Sequence, residues 1–492
     1  MTKGGFYKMN HFVSIQLDKN RKTPLYQQLG DALYEFIQNG ILKPNMKLPT
    51  IRKLASQLKI NNVTVVNAYK YLENKGIVYA QMGSGTYVSP LPLEALSSPI
   101  IQEPNKDIQL KQITMTKNTI NFASISPTTD MFPVDDFKLV LNEVLDRDRG
   151  DAFSYQESQG YDRLREAIGD YLENYGIHAT QDKIQIISGA QQGIDILSKA
   201  LLQFGDTLFV EKPTYHGAIA AFQSRGARIV EVPLESDGMD TSILEDYLKL
   251  YHPKFIYIMP YYQNPTGYSY SLKKKRIILD LAEKYNIYII EDDYLSDLNY
   301  SKQPNIPLKA LDHRNRVIYI KSFSKILMPG LRLGFLVVPK TLLDYILSAK
   351  HTTDISTSSF IQRVFDLYLR KELWKKHIGK ICDIYEKRYN TLTNSLDNYL
   401  KDYMTYTPPQ GGLSIWVKFK EEISVSSLCD LLLSRDVILT PGSLFSITQD
   451  SFSSIRISFA AVDEEQIEKG VKKIKDVIEN MINVPASITP LL

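Results

Sequence analysis

Between residues 24 and 89 the apolar positions change period several times. Leu25, Leu29, Leu33, Phe36 and Ile37 recur three and four apart behind Pro24, predicting a helix with Pro24 at its first position and Gly40 as its stop. After Leu48-Pro49 a second helix is predicted, with Thr50 as N-cap and Ile51, Leu54, Ala55 and Leu58 turned inward. Asn61 or Asn62 opens a third, from about Val63 to Lys75, closed by Gly76. Its buried stripe is Val65, Ala68, Tyr69 and Leu72, which leaves Thr64, Asn67 and Tyr71 facing out with Lys70 beside them. Alternation then takes over: Ile77–Ala80 and Thr86–Val88 read as two strands of a hairpin around Gln81–Gly85.

From Ser89 to Asn118 no period survives, and Pro90, Pro92, Pro99 and Pro104 interrupt a polar stretch. A structureless run of that length does not belong inside a compact domain, so residues 90–119 are expected to be a linker. From residue 180 onward short apolar runs alternate with amphipathic helices, the pattern of an α/β domain with a mostly parallel central sheet. The predicted strands are Ile184–Ile187, Thr207–Val210, Phe255–Met259, Ile287–Ile290 and Val317–Ile320. The domains expected are 10–89, 120–344 and a smaller C-terminal α+β domain, 345–492.

Composition changes this picture in one respect. Residues 1–90 carry 12 Lys and Arg against 4 Asp and Glu, a surplus of 8, so the remainder of a chain of net charge +3 is negative by 5. A small basic head on a mildly acidic body points to a polyanionic partner for the head. The rest excludes more than it specifies. Two cysteines, Cys382 and Cys429, form no disulfide framework or metal spacing and suit a reducing cytoplasm. No run nears the roughly 20 apolar residues of a membrane span, and no signal-peptide core is present. Seven histidines without ligand spacing give no reason to expect a metal.

Short helices, a tight turn, an outward polar face and a β-wing describe a winged helix-turn-helix. Its third helix would enter the major groove, with Asn62, Thr64, Asn67 and Lys70 as candidate contacts. Thr50, Arg52 and Lys53, at the start of the second helix, and the wing at Ser84 and Gly85 would hold phosphates. Pro24-Leu25-Tyr26, Leu48-Pro49-Thr50-Ile51-Arg52, Thr64–Tyr69 and Gly83–Val88 resemble the DNA-binding domain of the GntR regulators. That family often has arginine where this chain has Asn62 and Asn67; asparagine reads adenine edges, which leans the expected operator toward A·T pairs.

In the body each predicted strand ends in chemistry. Ile184–Ile187 runs into Ser188-Gly189-Ala190-Gln191, whose amides open a helix and can hold a phosphate. The others run into Tyr215, into Asn264-Pro265-Thr266-Gly267, into Asp292-Asp293-Tyr294, and into Ser322-Phe323-Ser324-Lys325 followed by Arg332. Ligands of open α/β sheets bind beyond such strand ends. A lysine there, with hydroxyls and a forked guanidinium, suits pyridoxal phosphate: the amine forms a Schiff base, while Ser322, Ser324 and Arg332 bind phosphate. Asp292 would pair with the pyridinium nitrogen, Asn264 and Tyr294 would reach the ring phenolate, and Tyr215 would stack. Singly, each has an ordinary alternative: a turn at Asn264, a helix cap at Asp292, core packing at Tyr215.

In their order these segments resemble the fold-type I aminotransferases. The resemblance implies Lys325 as the Schiff-base lysine, Asp292 as the pyridine partner and Ser188, Ala190, Gln191, Ser322 and Arg332 as the phosphate cup. It also implies Tyr155 as a residue reaching the partner subunit's phosphate, and Arg456 as the arginine for a substrate carboxylate; a surface ion pair is the alternative for Arg456. Head and body together resemble the MocR subfamily of GntR regulators. That resemblance implies a cytoplasmic head-to-tail homodimer on a double-stranded operator, sensing pyridoxal phosphate or its adduct with an amine or amino acid. An active aminotransferase carrying a DNA-binding head, and a regulator with a vestigial cofactor site, are the alternatives.

Overall fold

In a computed structural model the chain divides into two compact units, residues 1–104 and 105–492. The structure describes residues 15, 17–18, 23–38, 41–42, 46–81, 84–89, 116, 118–300, 305–448 and 453–483. The predicted helix stop at Gly40, the wing tip at Gly83 and nearly all of the 90–119 linker lie outside the described residues.

The head contains α1 (Leu25–Gln38), α2 (Ile51–Leu58), α3 (Asn62–Asn74) and the antiparallel hairpin β1 (Val78–Gln81) and β2 (Gly85–Val88). Helix α1 begins one residue after the predicted Pro24, whose carbonyl accepts from the amides of Gln27 (3.0 Å) and Gln28 (3.1 Å). Thr50 precedes α2 in extended conformation, but its hydroxyl makes no capping bond. Asn61 does cap α3, its side chain accepting from the Val63 amide at 3.0 Å. The stripe read from the sequence is the core: Leu29, Leu33, Leu54, Val65, Ala68 and Leu72 are buried. One position on α3 departs from expectation. Tyr71 does not face outward: its ring lies edge-on to Tyr26, its hydroxyl donates to Asp31 at 3.0 Å, and it fills the space left by Gly30. An aromatic ring gains more from burial against α1 than from water, whatever its place on the helical wheel.

The body holds β3 (Ile120–Asn121), β4 (Ile184–Ile187), β5 (Thr207–Lys212), β6 (Arg228–Glu235), β7 (Gly238–Met239), β8 (Phe255–Ile258), β9 (Tyr288–Asp293), β10 (Val317–Ser322) and β11 (Gly334–Val337). All but β3 form one sheet in the order β4-β11-β10-β9-β8-β5-β6-β7. Neighbours from β10 through β9, β8 and β5 to β6 are parallel; β11 is antiparallel to both β4 and β10, and β7 to β6. The carboxyl ends of β4, β5, β8, β9 and β10 therefore share one edge. Strands β8 and β11 are buried at every position and β10 likewise, as expected where helices cover both faces. Strands β9 and β10 run further than the sequence pattern predicts, because their last residues are charged or polar yet buried; paired polar groups keep the ladder going where hydropathy alone would stop it.

The C-terminal region has a second, antiparallel sheet: β12 (Met404–Tyr406), β13 (Ser414–Phe419), β15 (Thr440–Pro441) and β16 (Ser454–Ser458), in the order β12-β13-β16-β15. Strand β14 (Val437–Ile438) pairs in parallel with β3, and the Phe122 carbonyl accepts from the Ser458 amide at 2.8 Å. The opening segment of the body is thus built into the C-terminal region, although the sequence pattern assigns it to the large domain. The 27-residue helix Leu373–Tyr399 and the helix Glu464–Asn483 pack on this region.

Candidate cofactor site and nucleic-acid interface

Register decides which carboxylate faces the site. On β9 side chains alternate, so Asp292 points to one face while Glu291 and Asp293 point to the other. Asp292 pairs with Ile320, and Asp293 with Lys321, across β9 and β10. Asp292 is 2% exposed; its Oδ2 accepts from the Tyr257 hydroxyl at 2.6 Å, and its Oδ1 is buried with no hydrogen-bond partner in the protein. A buried carboxylate oxygen without a donor costs stability unless a ligand supplies one. Burial pushes the Asp292 carboxyl up to about 7, against the Tyr257 hydrogen bond that favours its ionised form.

After β10 the chain turns through Phe323–Leu327. Ser322 and Ser324 are both buried, the Ser322 hydroxyl accepts from the Ser324 amide at 3.3 Å, and the Ser324 hydroxyl is buried without a partner. Half-buried Lys325 donates from Nζ to the Ser126 hydroxyl at 3.1 Å. Arg332, at φ 48°, reaches back to the Ser188 carbonyl at 2.6 Å. Its guanidinium passes so close to Gly189 (φ 98°) that a Cβ there would meet Nη2 at 2.8 Å. Gly189 opens the helix Ala190–Leu201, which has no side-chain cap. An uncapped helix N-terminus, an arginine fork beside it and an unsatisfied hydroxyl form an anion cradle.

The remaining residues fall around the same edge. The Tyr215 hydroxyl donates to Gln191 Oε1 at 2.9 Å, and Gln191 Nε2 donates to the Gly217 carbonyl at 2.9 Å, which fixes the tyrosine beside the cradle. The Ser188 hydroxyl lies 3.3 Å from that of Thr357. Asn264 Oδ1 accepts from Arg456 Nη1 at 2.8 Å, which leaves the amide NH2 as the group it presents elsewhere. Arg456 is 5% exposed; its Nη2 donates to the Ala123 carbonyl (2.7 Å) and to Thr440 (3.3 Å). This is not the surface ion pair left open by the sequence. Tyr294 is buried, and its hydroxyl donates to the Tyr262 carbonyl at 2.8 Å. Tyr155 is 84% exposed on this chain.

Three contributors carry no sequence signal: Tyr257 on Asp292, Ser126 on Lys325, and Ala123 on Arg456. The last two come from the segment after β3, far away in sequence, and only its pairing with β14 brings it here.

The fit to pyridoxal phosphate rests on unsatisfied atoms. Asp292 Oδ1 lacks a donor, which a protonated ring nitrogen would supply, and the Ser324 hydroxyl lacks a partner beside the anion cradle. Asp292, Lys325 and the cradle would hold ring, aldehyde and phosphate respectively.

A pH dependence follows. The folded pKa of Asp292, about 7, lies above the ordinary aspartate value near 4, so its stability contribution is complete below about pH 4 and is lost as pH rises toward 7. In cofactor-free protein Asp292→Asn is expected to raise the melting temperature at pH 8, by an amount corresponding to a few kcal/mol, and to change it little at pH 4. Paired thermal melts at the two pH values check this; equal shifts at both would show that burial of the charge is not the cause.

In the head, Thr50, Arg52, Lys53, Asn62, Asn67, Lys70 and Gly85 are exposed, and Thr64 and Ser84 half-buried. Asn62, Asn67 and Lys70 line one outward arc of α3, with Arg52 and Lys53 in the first turn of α2. The Ser84 hydroxyl sits 2.6 Å from that of Tyr87. Val63, 59% exposed on the same helix, gives no outward signal in the sequence because valine in a helix reads as core; an exposed methyl pair there can meet a thymine methyl.

Comparison with known proteins agrees with both halves. Residues 117–474 match the aminotransferase class I and II family, and residues 25–88 match the bacterial regulatory proteins of the gntR family. The uncharacterised HTH-type transcriptional regulator YdfD of Bacillus subtilis (strain 168) is 30% identical over 481 residues, covering 94% of this chain and 98% of that protein. Aromatic-amino-acid aminotransferase 1 of Thermococcus litoralis is 31% identical over 377 residues, 75% of this chain and 90% of the enzyme. The crystal structure of the multiple substrate aminotransferase of Thermococcus profundus superposes with a TM-score of 0.74 at 30% identity, covering 80% of this chain and 99% of that one. The chain therefore belongs to the aminotransferase class I and II family in its body and the gntR family in its head, a MocR-type transcriptional regulator that binds DNA and depends on pyridoxal phosphate.

Proposed function

We propose that the body is a receptor for an amino acid and that its response is read out by the head as a change in DNA binding. The observation that carries this reading is the bond from Arg456 Nη1 to Asn264 Oδ1, 2.8 Å, which joins the C-terminal sheet to the end of β8 beside the cofactor residues. A ligand carboxylate would compete for that fork, since bidentate pairing with a carboxylate is stronger than a neutral amide contact. Taking Arg456 from Asn264 loosens one tie between the two sheets and makes another to the ligand, so the ligand binds two arrangements of the body with different free energies. Without that difference no signal would arise.

When bound, pyridoxal phosphate supplies an aldehyde that captures amines and a ring that withdraws electrons. Lys325, whose Nζ donates to Ser126 at 3.1 Å, would be the resident amine, Asp292 would pair with the ring nitrogen, and Ser324 and Arg332 would hold the phosphate end. The Asn264 amide NH2 would reach the ring phenolate, whereas the Tyr294 hydroxyl, expected to do the same, spends its proton on the Tyr262 carbonyl at 2.8 Å. Aromatic amino acids are the first class to try, because one relative is named for them and Phe445 lies 5.1 Å from the Arg456 guanidinium with Trp416 packed against it.

The molecule works as a homodimer in this reading, arranged head to tail. Tyr155 (84% exposed) and Phe153 (67% exposed), with Phe153 stacked on Phe360, offer a contact surface for a second copy. The cytoplasm is its place, where an operator and free amino acids are both at hand.

The test is a spectral titration of the protein loaded with pyridoxal phosphate, run beside a DNA mobility shift. An amino acid that changes both supports the receptor reading; one that changes the spectrum without the shift sinks it. Steady conversion of an added keto acid would favour a working aminotransferase instead. Arg456→Lys keeps the charge and loses the fork, so the amino-acid midpoint should rise about 10- to 100-fold while an amine lacking a carboxylate is unaffected. Equal weakening of both ligands would remove Arg456 from carboxylate recognition.

A further inference from the structure

Behind the sheet, on the face opposite Asp292, lies a charge cluster that the site described above does not use. Lys321 is fully buried on β10, four residues before Lys325. Its Nζ lies 3.2 Å from Asp293 Oδ1, 2.6 Å from Asp297 Oδ2 and 2.8 Å from the Ser296 hydroxyl. Asp293 also accepts from the Tyr319 hydroxyl (2.6 Å) and the Ser296 amide (3.0 Å); Asp297 accepts from the hydroxyls of Tyr171 (2.9 Å) and Tyr175. All three charges are removed from water. A buried ammonium with two carboxylates costs free energy to assemble, and an apolar side chain would usually be as stable at such a place. A cluster of this kind calls for a role other than stability.

Its position supplies one. Asp293 is the neighbour of Asp292 on β9, and Lys321 pairs with Asp293 across β10. Without Lys321, Asp293 and Asp297 would lose the ammonium that pairs with both of them directly, leaving only the through-space effect of buried Lys275 on Asp293. Two adjacent carboxylates in low dielectric cannot both stay ionised cheaply, and a proton would go to the one with fewest donors. Asp293 has three kinds of donor, whereas Asp292 has only Tyr257.

We propose that Lys321 is a positioning residue for the cofactor ring: held between Asp293 and Asp297 behind the sheet, it keeps the Asp292 carboxylate available as an anion and ties its strand to the one that delivers Lys325. This rests on the cofactor reading of the site. The titratable groups that act on Asp292 are Tyr257 from β8, Glu211 near the end of β5 and Tyr294 just after β9, with Asp293 from β9 and Lys321 from β10 acting from the opposite face of the sheet. On the far face a second buried lysine, Lys275, acts electrostatically on Glu291 and also on Asp293, but it is not among the groups that act on Asp292. Among these neighbours Tyr257 and Lys321 favour the ionised form of Asp292, while burial and Asp293 oppose it. The cation behind the sheet and the hydroxyl in front of it are thus the two levers on the carboxylate.

The experiment follows the Asp292 carboxyl directly, by carbon-13 signals of aspartate-labelled, cofactor-free protein, with Asp292→Asn identifying the resonance. Lys321→Met should raise its midpoint by about one pH unit or more, and Asp293→Asn should lower it. In Lys321→Met/Asp293→Asn the midpoint should return toward that of the unaltered protein, which looser packing would not produce. With nitrogen-15-labelled pyridoxal phosphate bound at pH 8, the ring nitrogen should move from protonated to neutral in Lys321→Met and back in the double variant. An Asp292 midpoint that ignores Lys321→Met, or Asp293→Asn if the first variant does not fold, overturns the proposal. If the unaltered protein fails to take up pyridoxal phosphate, the cofactor reading falls, while the carbon-13 comparison still decides the role of Lys321.

Discussion

Lys325→Ala is expected to abolish the visible absorption that the protein gains in pyridoxal phosphate and to weaken cofactor retention on the order of 100-fold or more, about 3 kcal/mol. The cause is local. Lys325 stands in the turn after β10, with Nζ on the Ser126 hydroxyl at 3.1 Å, on the sheet edge that Asp292 also ends. A covalent bond to the cofactor's aldehyde is the largest interaction the site offers, and no other contact replaces it. The anion cradle at Ser188, Gly189 and Arg332 remains in the variant, so residual, colourless binding should persist and should be competed by inorganic phosphate. Equilibrium dialysis together with the spectrum separates the two contributions. Retention of the visible band in Lys325→Ala would assign the covalent bond to another amine, with Lys212 at the end of β5 the next to replace.

The second large effect belongs to the head. Replacing both Arg52 and Lys53 by alanine is expected to weaken binding to random-sequence duplex DNA about 10- to 100-fold at moderate salt. It should also reduce the slope of log affinity against log salt by about 2, close to one for each phosphate that is no longer neutralised. Both side chains are exposed in the first turn of α2, where the helix N-terminus adds partial positive charge toward a phosphate. Asn67→Ala should behave differently: little change in the salt slope, but a weaker preference at one base pair of a selected site, worth about 1–3 kcal/mol. Fluorescence anisotropy at several salt concentrations reads both. An unchanged slope in the double variant would mean that α2 does not lie on the backbone and that the docking of α3 must be reconsidered.

These two expectations draw on residues that the sequence offers readily, for a shared reason. Turn and cap chemistry is local: Ser188-Gly189 at a helix start, Asn264-Pro265-Thr266-Gly267 and the Ser322–Lys325 turn each specify a backbone conformation within a few residues. The apolar runs before them announce buried strands without reference to the rest of the chain. The head reads just as locally, and its helices begin within one residue of the expected positions. Tyr71 departs from the helical wheel because Gly30, on another helix, leaves room for its ring, which no period along α3 can report.

The order of strands and the charged groups beneath them required the fold. Strand β11 enters between β4 and β10, and β3 leaves the large sheet to pair with β14, so residues 123–126 arrive beside Lys325 and Arg456 from far away in sequence. Hydropathy treats Lys321, Asp293 and Asp297 as surface residues, since burying any one alone would be prohibitive; only their mutual placement makes burial possible. The two-part organisation, the strand-end residues and their chemistry were legible along the chain, because they depend on period and turn over short distances. Only the tertiary structure turned Asp292, with its unsatisfied oxygen, toward the site, placed Lys321 behind it and made Arg456 the tie between the two sheets, because these follow from strand register, where a shift of one residue turns every side chain to the other face.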